Sequence, residues 1–139
     1  MKEKVMHFIL LTKNDMTWEY NVINRILIMD EEIIFCSALR YHLTQKGYYV
    51  EFCNSYAELQ DKINLFEFDL ILLDLNFKNP KGLEILQIAK GINPQIKVIF
   101  VSGYLDHQLI SKAKALGANA FACKNVQLFQ VLDQIMETM

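Results

Sequence analysis

The chain has 139 residues, of which 53% are hydrophobic and 22% are charged, and its formal net charge is -2. This length is typical of one domain, and so much apolar material supports a packed core and argues against intrinsic disorder. The charge balance gives no general attraction to nucleic acid or anionic lipid, so we expect no direct nucleic-acid contact.

Apolar stretches in this sequence are too short for a membrane protein. The longest run to about eight residues, whereas a membrane-spanning helix needs roughly 20. The three cysteines share no metal-ligand spacing and indicate buried, reduced thiols. The composition therefore predicts one soluble domain in the cytoplasm.

Five short apolar runs recur at fairly even intervals. Three of them are continuously apolar and rich in Ile, Leu and Val, which is typical of strands buried on both faces of a parallel sheet. The predicted strands are 25–29, 48–53, 68–73, 97–101 and 120–123.

Segments with helical periodicity separate these runs. The first places Ile34, Ala38 and Tyr41 on one stripe, and the second opens at Ser55 with Glu58 at capping-box spacing. Strand and helix alternate five times, which predicts an α/β, flavodoxin-like fold: a doubly wound parallel five-stranded sheet in the order 2-1-3-4-5, with helices on both faces. In such a sheet the functional crevice lies at the carboxyl ends of strands 1 and 3.

Acidic residues follow two of the predicted strands at that edge. Asp30, Glu31 and Glu32 come after strand 1, and Asp74 comes directly after strand 3. Two unit charges about 4 Å apart repel by about 4 kcal/mol at an effective dielectric constant near 20, so such a cluster favours a bound cation. Carboxylate ligands with open positions favour Mg²⁺. Taken singly, each acid is explained equally well by a helix N-terminus or a turn.

A hydroxyl and an ammonium group are expected at the same edge. Ser102 follows strand 4, and Lys124 follows strand 5. A transferring phosphoryl group needs such groups for hydrogen bonding and charge neutralisation. The residues thus point to phosphoryl chemistry assisted by a metal ion.

Four segments resemble the receiver domains of two-component response regulators, which are often called CheY-like. They are ILIMDEE at strand 1, LILLDLNFKNPKGLEIL from strand 3 into helix 3, VIFVSGY at strand 4 and GANAFACKN around strand 5. The resemblance covers 23–139, the predicted receiver domain. It leaves 1–22 as an N-terminal extension of unknown role, whose apolar VMHFILL segment we expect to dock on the domain or on a partner.

The resemblance implies a metal-assisted phospho-acceptor. Asp74 is at the position of the aspartate that receives the phosphoryl group. Asp30 and Glu31 match the acidic pair that holds Mg²⁺ together with Asp74, and the backbone carbonyl of Asn76 matches the group that completes the metal shell.

The resemblance also implies a switch. Ser102 matches the residue that moves toward the phosphoryl group, and Lys124 matches the lysine that pairs with it. Phe121 matches the aromatic residue whose rotamer couples to that movement, and Gly82 matches the glycine that opens helix 3.

Two positions depart from the receiver pattern. Phe77 and Lys78 stand where receivers usually carry Met-Pro, and we expect the Lys78 side chain to point to solvent. Asn125 replaces the proline that usually follows the lysine, and a cis bond there would cost about 2.5 to 4 kcal/mol. The route by which Lys124 reaches the site therefore stays open at this point.

The resemblance implies a phosphorylation switch that catalyses its own loading and unloading, and not an enzyme in the ordinary sense. The partner would be a sensor histidine kinase or a histidine phosphotransfer protein. Apolar positions of the predicted helix 5, which opens at Asn125, spread beyond one stripe, so we also predict a homodimer or a partner contact through helix 4 (about 106–116), strand 5 and helix 5.

Three alternatives carry less support. A phosphorylation-independent scaffold is favoured only by the two departures. A haloacid-dehalogenase-like phosphatase also uses an aspartyl phosphate, but its nucleophile lies in an Asp-x-Asp pair, whereas Leu75 and Asn76 follow Asp74 here. A flavodoxin would cradle a phosphate after strand 1, where the three acids would repel it.

Overall fold

The computed structural model describes residues 23–62, 64–78, 80–104 and 106–139, and five of its strands form a parallel sheet. The strands are β1 Arg25–Met29, β2 Tyr49–Cys53, β3 Leu70–Asp74, β4 Lys97–Ser102 and β5 Ala120–Cys123. Their order across the sheet is β2-β1-β3-β4-β5, and each neighbouring pair is parallel. The predicted topology is confirmed.

Helices connect the strands and cover both faces of the sheet. They are α1 Ile33–Gln45, α2 Tyr56–Lys62, α3 Gly82–Ile92, α4 His107–Ala115 and α5 Leu128–Glu137, with a 3₁₀ turn at Leu65–Glu67. Residues of α2, α3 and α4 pack in one apolar cluster, and residues of α1 and α5 pack in the other. The fold is the flavodoxin-like α/β architecture that the sequence predicts.

The central strands supply side chains to both clusters. In β1, Leu27 and Met29 belong to the cluster under α2 and α3, whereas Ile26 and Ile28 belong to the cluster under α1 and α5. Successive side chains of a strand point to opposite faces, so a strand covered on both sides must be apolar at every position. This is why β1 and β3 are continuous apolar runs.

The stripe of Ile34, Ala38 and Tyr41 is not the buried face of α1. Ile34 and Tyr41 are 86% and 69% exposed, and Ala38 is exposed as well. The buried residues are Cys36 and Leu39, followed by Leu43 one turn later. Both stripes have helical spacing and contain apolar residues, so periodicity alone does not show which of them is buried. The packing of the helix against β1 decides this.

Element ends differ from the prediction by a few residues. A 3₁₀ turn ends at Glu67, directly before the segment assigned to strand 3, and β3 begins two residues into that segment, at Leu70. Asn125 caps a turn, because its side-chain Oδ1 accepts a hydrogen bond from the Gln127 N–H at 2.9 Å, and α5 begins at Leu128. The Ser55 cap is confirmed: its Oγ accepts from the Glu58 N–H at 3.3 Å.

Two of the three thiols that were predicted to be buried lie in the core. Cys36 and Cys53 are buried, and burial, helped by nearby carboxylates, raises the pKa of each thiol to about 12. Neither is a reactive thiolate near neutral pH. Cys123 is half-buried, and its Sγ donates to the Gly103 carbonyl at 3.8 Å.

The extension at 1–22 and its expected docking lie outside the described residues. In the part of the chain that is described, we find no helix with the length and apolar character needed to cross a membrane.

Candidate functional site

Four polar side chains meet at the carboxyl edge of the sheet. Asp30 follows β1 directly, Asp74 is the last residue of β3, Ser102 is the last residue of β4, and Lys124 follows β5. Because parallel strands end at the same edge, residues far apart in sequence are brought together there. The crevice lies where the sequence places it.

Lys124 is the centre of the charge cluster. Its Nζ lies 2.7 Å from Asp30 Oδ2, 3.0 Å from Glu32 Oε1 and 3.8 Å from Asp74 Oδ2. The ammonium also contacts α1, since Nζ lies 4.5 Å from the centroid of the Phe35 ring. The three carboxylates outnumber the single ammonium, which leaves the site negative and suited to a further cation.

Asp30 is held by one hydrogen bond to its carboxylate and one to its backbone carbonyl. The Glu32 N–H donates to Asp30 Oδ1 at 2.9 Å, and Asn54 Nδ2 donates to the Asp30 carbonyl at 2.8 Å. Asp30 is only 2% exposed. Its Oδ2 is paired with Lys124 Nζ and has no other partner among the described residues.

Asp74 is held in a buried position with little compensation for its charge. Its Oδ1 accepts a hydrogen bond from the Asn76 N–H at 2.9 Å. Burial raises the pKa of the Asp74 carboxyl above its usual range, and the charge of Asp30 adds to this; the Asn76 N–H and Lys124 work against it without cancelling it. The carboxylate is therefore poorly solvated, which suits a nucleophile.

Burial works in the opposite direction on Lys124. Desolvation alone would lower the pKa of its ammonium, but contacts with the carboxylates of Asp30 and Glu32, and the charge of Asp74, outweigh it, so the pKa is raised. Because folding raises the pKa of Lys124, its ammonium stabilises the folded state at pH values below the ordinary lysine pKa of 10.5. This stabilisation is lost as the pH rises through the pKa of the folded state. Lys124 is thus protonated throughout the physiological range.

Replacing Asp74 with asparagine is expected to raise the free energy of unfolding at pH 7 by about 1 kcal/mol, because the amide keeps the shape without the buried charge. Folding raises the pKa of the Asp74 carboxyl, so this group stabilises the folded state fully at pH values below its ordinary pKa of 3.8. That stabilisation is lost as the pH rises through the pKa of the folded state. The gain should therefore shrink toward pH 4. Urea unfolding at both pH values measures it, and a less stable variant at pH 7 would contradict the expectation.

A second set of hydrogen bonds surrounds the Ser102 hydroxyl, which is completely buried. Ser102 Oγ donates to the Tyr104 carbonyl at 2.7 Å and accepts from the Tyr104 N–H at 3.2 Å. It also accepts from Asn76 Nδ2 at 2.8 Å. The amide of Asn76 therefore connects the loop after β3 to the end of β4.

Phe121 lies on β5 and is half-buried against the apolar cluster under α2, α3 and α4. It pairs with Phe100 of β4 in the register of the sheet, and the two rings are stacked with centroids 6.0 Å apart and an interplanar angle of 18°. Its coupling to a movement of Ser102 stays a prediction.

The predicted site residues are not all equally close. Asp30, Asp74, Ser102 and Lys124 come together, whereas Glu31 is exposed. Within 23–139, apart from the three positions left undescribed, no group of three His, Cys, Asp or Glu side chains is placed to hold a metal. The ligand role of Glu31 therefore stays a prediction.

Two contacts within the site were not predicted from the sequence. Glu32 pairs with Lys124, and the Asn76 side chain binds Ser102, whereas only the Asn76 carbonyl had been assigned a role. The run of three acids after strand 1 was a signal for Glu32. Nothing in the spacing pointed to the Asn76 amide, because its partner lies 26 residues away.

The two departures from the receiver pattern leave the site intact. Phe77 is buried and Lys78 is exposed, as predicted for Lys78. Lys124 reaches Asp30 and Asp74 although Asn125 follows it.

Comparison with known protein families shows which family the chain belongs to. Residues 26–136 match the family described as the response regulator receiver domain. The chain belongs to this family. It is a receiver domain of the two-component response regulators, and the predicted resemblance is confirmed.

Relatives of this receiver domain include both long regulators and short proteins. The transcriptional regulatory protein ZraR of Klebsiella oxytoca is 30% identical over 99 residues, which cover 71% of this chain and 22% of ZraR. The sporulation initiation phosphotransferase F of Bacillus subtilis is 27% identical over 111 residues, covering 80% of this chain and 90% of that protein. The chain thus spans about a fifth of ZraR.

Solved receiver structures share the fold. A CheY-like receiver domain protein from Methanospirillum hungatei superposes with a TM-score of 0.71 at 28% identity, covering 84% of this chain and 93% of its own. A response regulator from Burkholderia pseudomallei, solved with a phosphorylated aspartic acid, a calcium ion and citrate, gives 0.69 at 21% identity, covering 81% of this chain and 66% of its own. At that identity the second likeness shows the fold alone.

Proposed function

We propose that Asp74 of this receiver domain accepts a phosphoryl group from the phosphohistidine of a sensor histidine kinase or a histidine phosphotransfer protein. Receiver domains of response regulators interact with such partners. The observation that carries the assignment is the position of the Asp74 carboxylate, buried at the end of β3 with Lys124 Nζ 3.8 Å from its Oδ2.

The residues around Asp74 fit the charge changes of this transfer. A carboxylate oxygen of Asp74 forms a bond to phosphorus while the phosphorus–nitrogen bond of the phosphohistidine breaks, and the electron pair returns to the imidazole. The poorly solvated carboxylate is a better nucleophile than one in water, and Lys124 offsets the charge that the phosphoryl oxygens bring in.

The site also fits the Mg²⁺ that the receiver family binds. Asp30 Oδ2 is a buried oxygen whose one partner among the described residues is Lys124 Nζ, and the three carboxylates around that ammonium leave an excess of negative charge. Asp30, Asp74 and the Asn76 carbonyl would hold the ion through the hard oxygen ligands that it prefers, and the exposed Glu31, next to Asp30, is the further ligand that the resemblance implies. When bound, it supplies positive charge to the phosphoryl oxygens.

Apolar side chains around the site support docking of the phosphoryl donor. Ile33 and Ile34 begin α1 and are exposed, and Val126 is exposed two residues after Lys124. The contact of Lys124 with the Phe35 ring shows that these two segments are adjacent. An apolar rim around a charged crevice is the arrangement expected of a protein–protein contact.

The proposal also covers the behaviour of the domain as a switch and its location in the cell. The domain would act as a phosphorylation-controlled switch that catalyses its own loading and unloading. The buried, free cysteines support a cytoplasmic location, because thiols stay reduced there. A homodimer through α4, β5 and α5 stays a prediction.

Incubation with acetyl phosphate and Mg²⁺, followed by intact-protein mass spectrometry, tests the acceptor. We expect one phosphoryl group on the unchanged chain and on an Asp106→Asn control, in which an acid at the start of α4 is replaced. We expect none on Asp74→Asn and none when EDTA removes the metal. Absence of phosphorylation from the unchanged chain, with no Mg²⁺ binding, would favour the phosphorylation-independent scaffold.

A further inference from the structure

The Ser102 hydroxyl has no hydrogen-bonding capacity left for a new ligand. A hydroxyl offers one donor and two acceptor positions. The donor is used by the Tyr104 carbonyl, and the acceptors are used by the Tyr104 N–H and by Asn76 Nδ2. A phosphoryl oxygen on Asp74 is an acceptor, so Ser102 can donate to it only after giving up the Tyr104 carbonyl.

The contacts with Tyr104 are local to Ser102, whereas the contact with Asn76 is not. Ser102 ends β4 and Tyr104 follows it by two residues, so both belong to one segment of the chain. Asn76 lies in a different segment, 26 residues before Ser102. Of the three bonds to the hydroxyl, the one from Asn76 ties it to another element of the fold.

Asn76 is itself anchored to the acceptor residue. Its backbone N–H donates to Asp74 Oδ1 at 2.9 Å while its side chain donates to Ser102 Oγ at 2.8 Å. One residue thus connects the carboxylate on β3 with the hydroxyl on β4. Asn76 is exposed, so water can take over its hydrogen bonds when the contact breaks.

We propose that the side-chain amide of Asn76 is a latch that holds Ser102 in its resting position and sets how readily the domain switches. The latch is the hydrogen bond from Asn76 Nδ2 to Ser102 Oγ. This inference rests on the proposed function, because it concerns the movement that follows phosphorylation of Asp74. Asn76 is a positioning residue in this scheme: it acts through Ser102, in addition to the predicted role of its backbone carbonyl.

Hydrogen exchange in the unphosphorylated chain tests the latch directly. The Tyr104 N–H donates to Ser102 Oγ, so loosening the hydroxyl should expose that amide. In Asn76→Ala we expect its exchange to be faster by roughly 3- to 10-fold, the range for loss of one ordinary hydrogen bond. The Asn119 amide, which donates to the Val98 carbonyl at the other end of β4, should keep its rate.

Binding of beryllofluoride with Mg²⁺, a phosphoryl mimic, tests the effect on switching. The affinities of four proteins are compared: the unchanged chain, Asn76→Ala, Ser102→Ala and the double variant. If Asn76 acts through Ser102, its removal should tighten binding by roughly 3- to 10-fold when Ser102 is present and have no effect when residue 102 is alanine. Lys78→Ala, in the same loop but exposed, serves as the control and should change nothing.

The outcomes separate the latch from the proposed function. An equal change of affinity in both backgrounds, or an unchanged Tyr104 exchange rate in Asn76→Ala, would overturn the latch. If beryllofluoride binds none of the four proteins, the proposed acceptor function fails, and the exchange rate of the Tyr104 amide still decides the latch.

Discussion

Replacing Lys124 with methionine is expected to lower the free energy of unfolding by about 3 kcal/mol. Methionine keeps most of the apolar stem but removes the charge that faces Asp30, Glu32 and Asp74. Asp30 and Asp74 are buried, so each would keep a carboxylate without a cation. Glu32 is exposed and can be compensated by water, which places the loss at the lower end of the range for a broken buried pair.

Urea unfolding at pH 7 measures this loss, with Lys114→Met as the control. Lys114 is exposed on α4, and a surface substitution of this kind should change the stability by about 0.5 kcal/mol or less. A Lys124→Met protein as stable as the unchanged chain would show that the carboxylates do not need the ammonium.

Mg²⁺ should restore part of the stability that Lys124→Met loses. The ion would bind the carboxylates that the lysine leaves, and a ligand at 100 times its Kd stabilises the folded state by about 2.7 kcal/mol. We therefore expect Mg²⁺ to raise the unfolding midpoint of the variant more than that of the unchanged chain. Equal shifts in the two proteins would place the metal away from Lys124.

Replacing Gly82 with alanine is expected to destabilise the domain by about 2 to 3 kcal/mol and to slow phosphorylation of Asp74. A Cβ atom at Gly82 would lie 2.8 Å from the Leu75 carbonyl oxygen and 2.9 Å from that of Asp74. Both atoms belong to the backbone, which cannot move aside as the end of a flexible side chain can. The start of α3 must then separate from the loop that carries the acceptor.

Gly91 in the same helix supplies the matched control. A Cβ built there meets nothing within 4 Å. Gly91→Ala should therefore stabilise the helix by about 0.5 to 1 kcal/mol, because alanine loses less backbone entropy than glycine. Thermal unfolding and acetyl phosphate labelling of both variants give the comparison, and normal behaviour of Gly82→Ala would mean that α3 can shift at no cost.

Much of the site could be predicted because the fold places it at strand ends. The apolar runs of β1 and β3 are unmistakable, since both faces of these strands are covered by helices. Asp30 and Asp74 follow such runs directly, so a reader of the sequence can assign them to one edge. Lys124 could be placed by the same argument, because β5 has the predicted bounds.

Contacts made by side chains across the crevice could not be predicted in the same way. The bond from Asn76 to Ser102 spans 26 residues, and the pair of Lys124 with Glu32 spans 92. Each depends on rotamers that are selected only when neighbouring loops are in place. The exposure of Glu31 depends on the same local packing.

The sequence by itself determined the order of the elements, the parallel sheet and the edge at which the acids, the hydroxyl and the lysine meet. These follow from short-range patterns: apolar runs, helical periods and the residues that end them. Only the tertiary structure decided which stripe of α1 is buried and which partners Asn76 and Lys124 select. Periodicity gives the spacing of a stripe but not its phase, and the phase and the long-range pairs are fixed by contacts that exist only after the chain has packed.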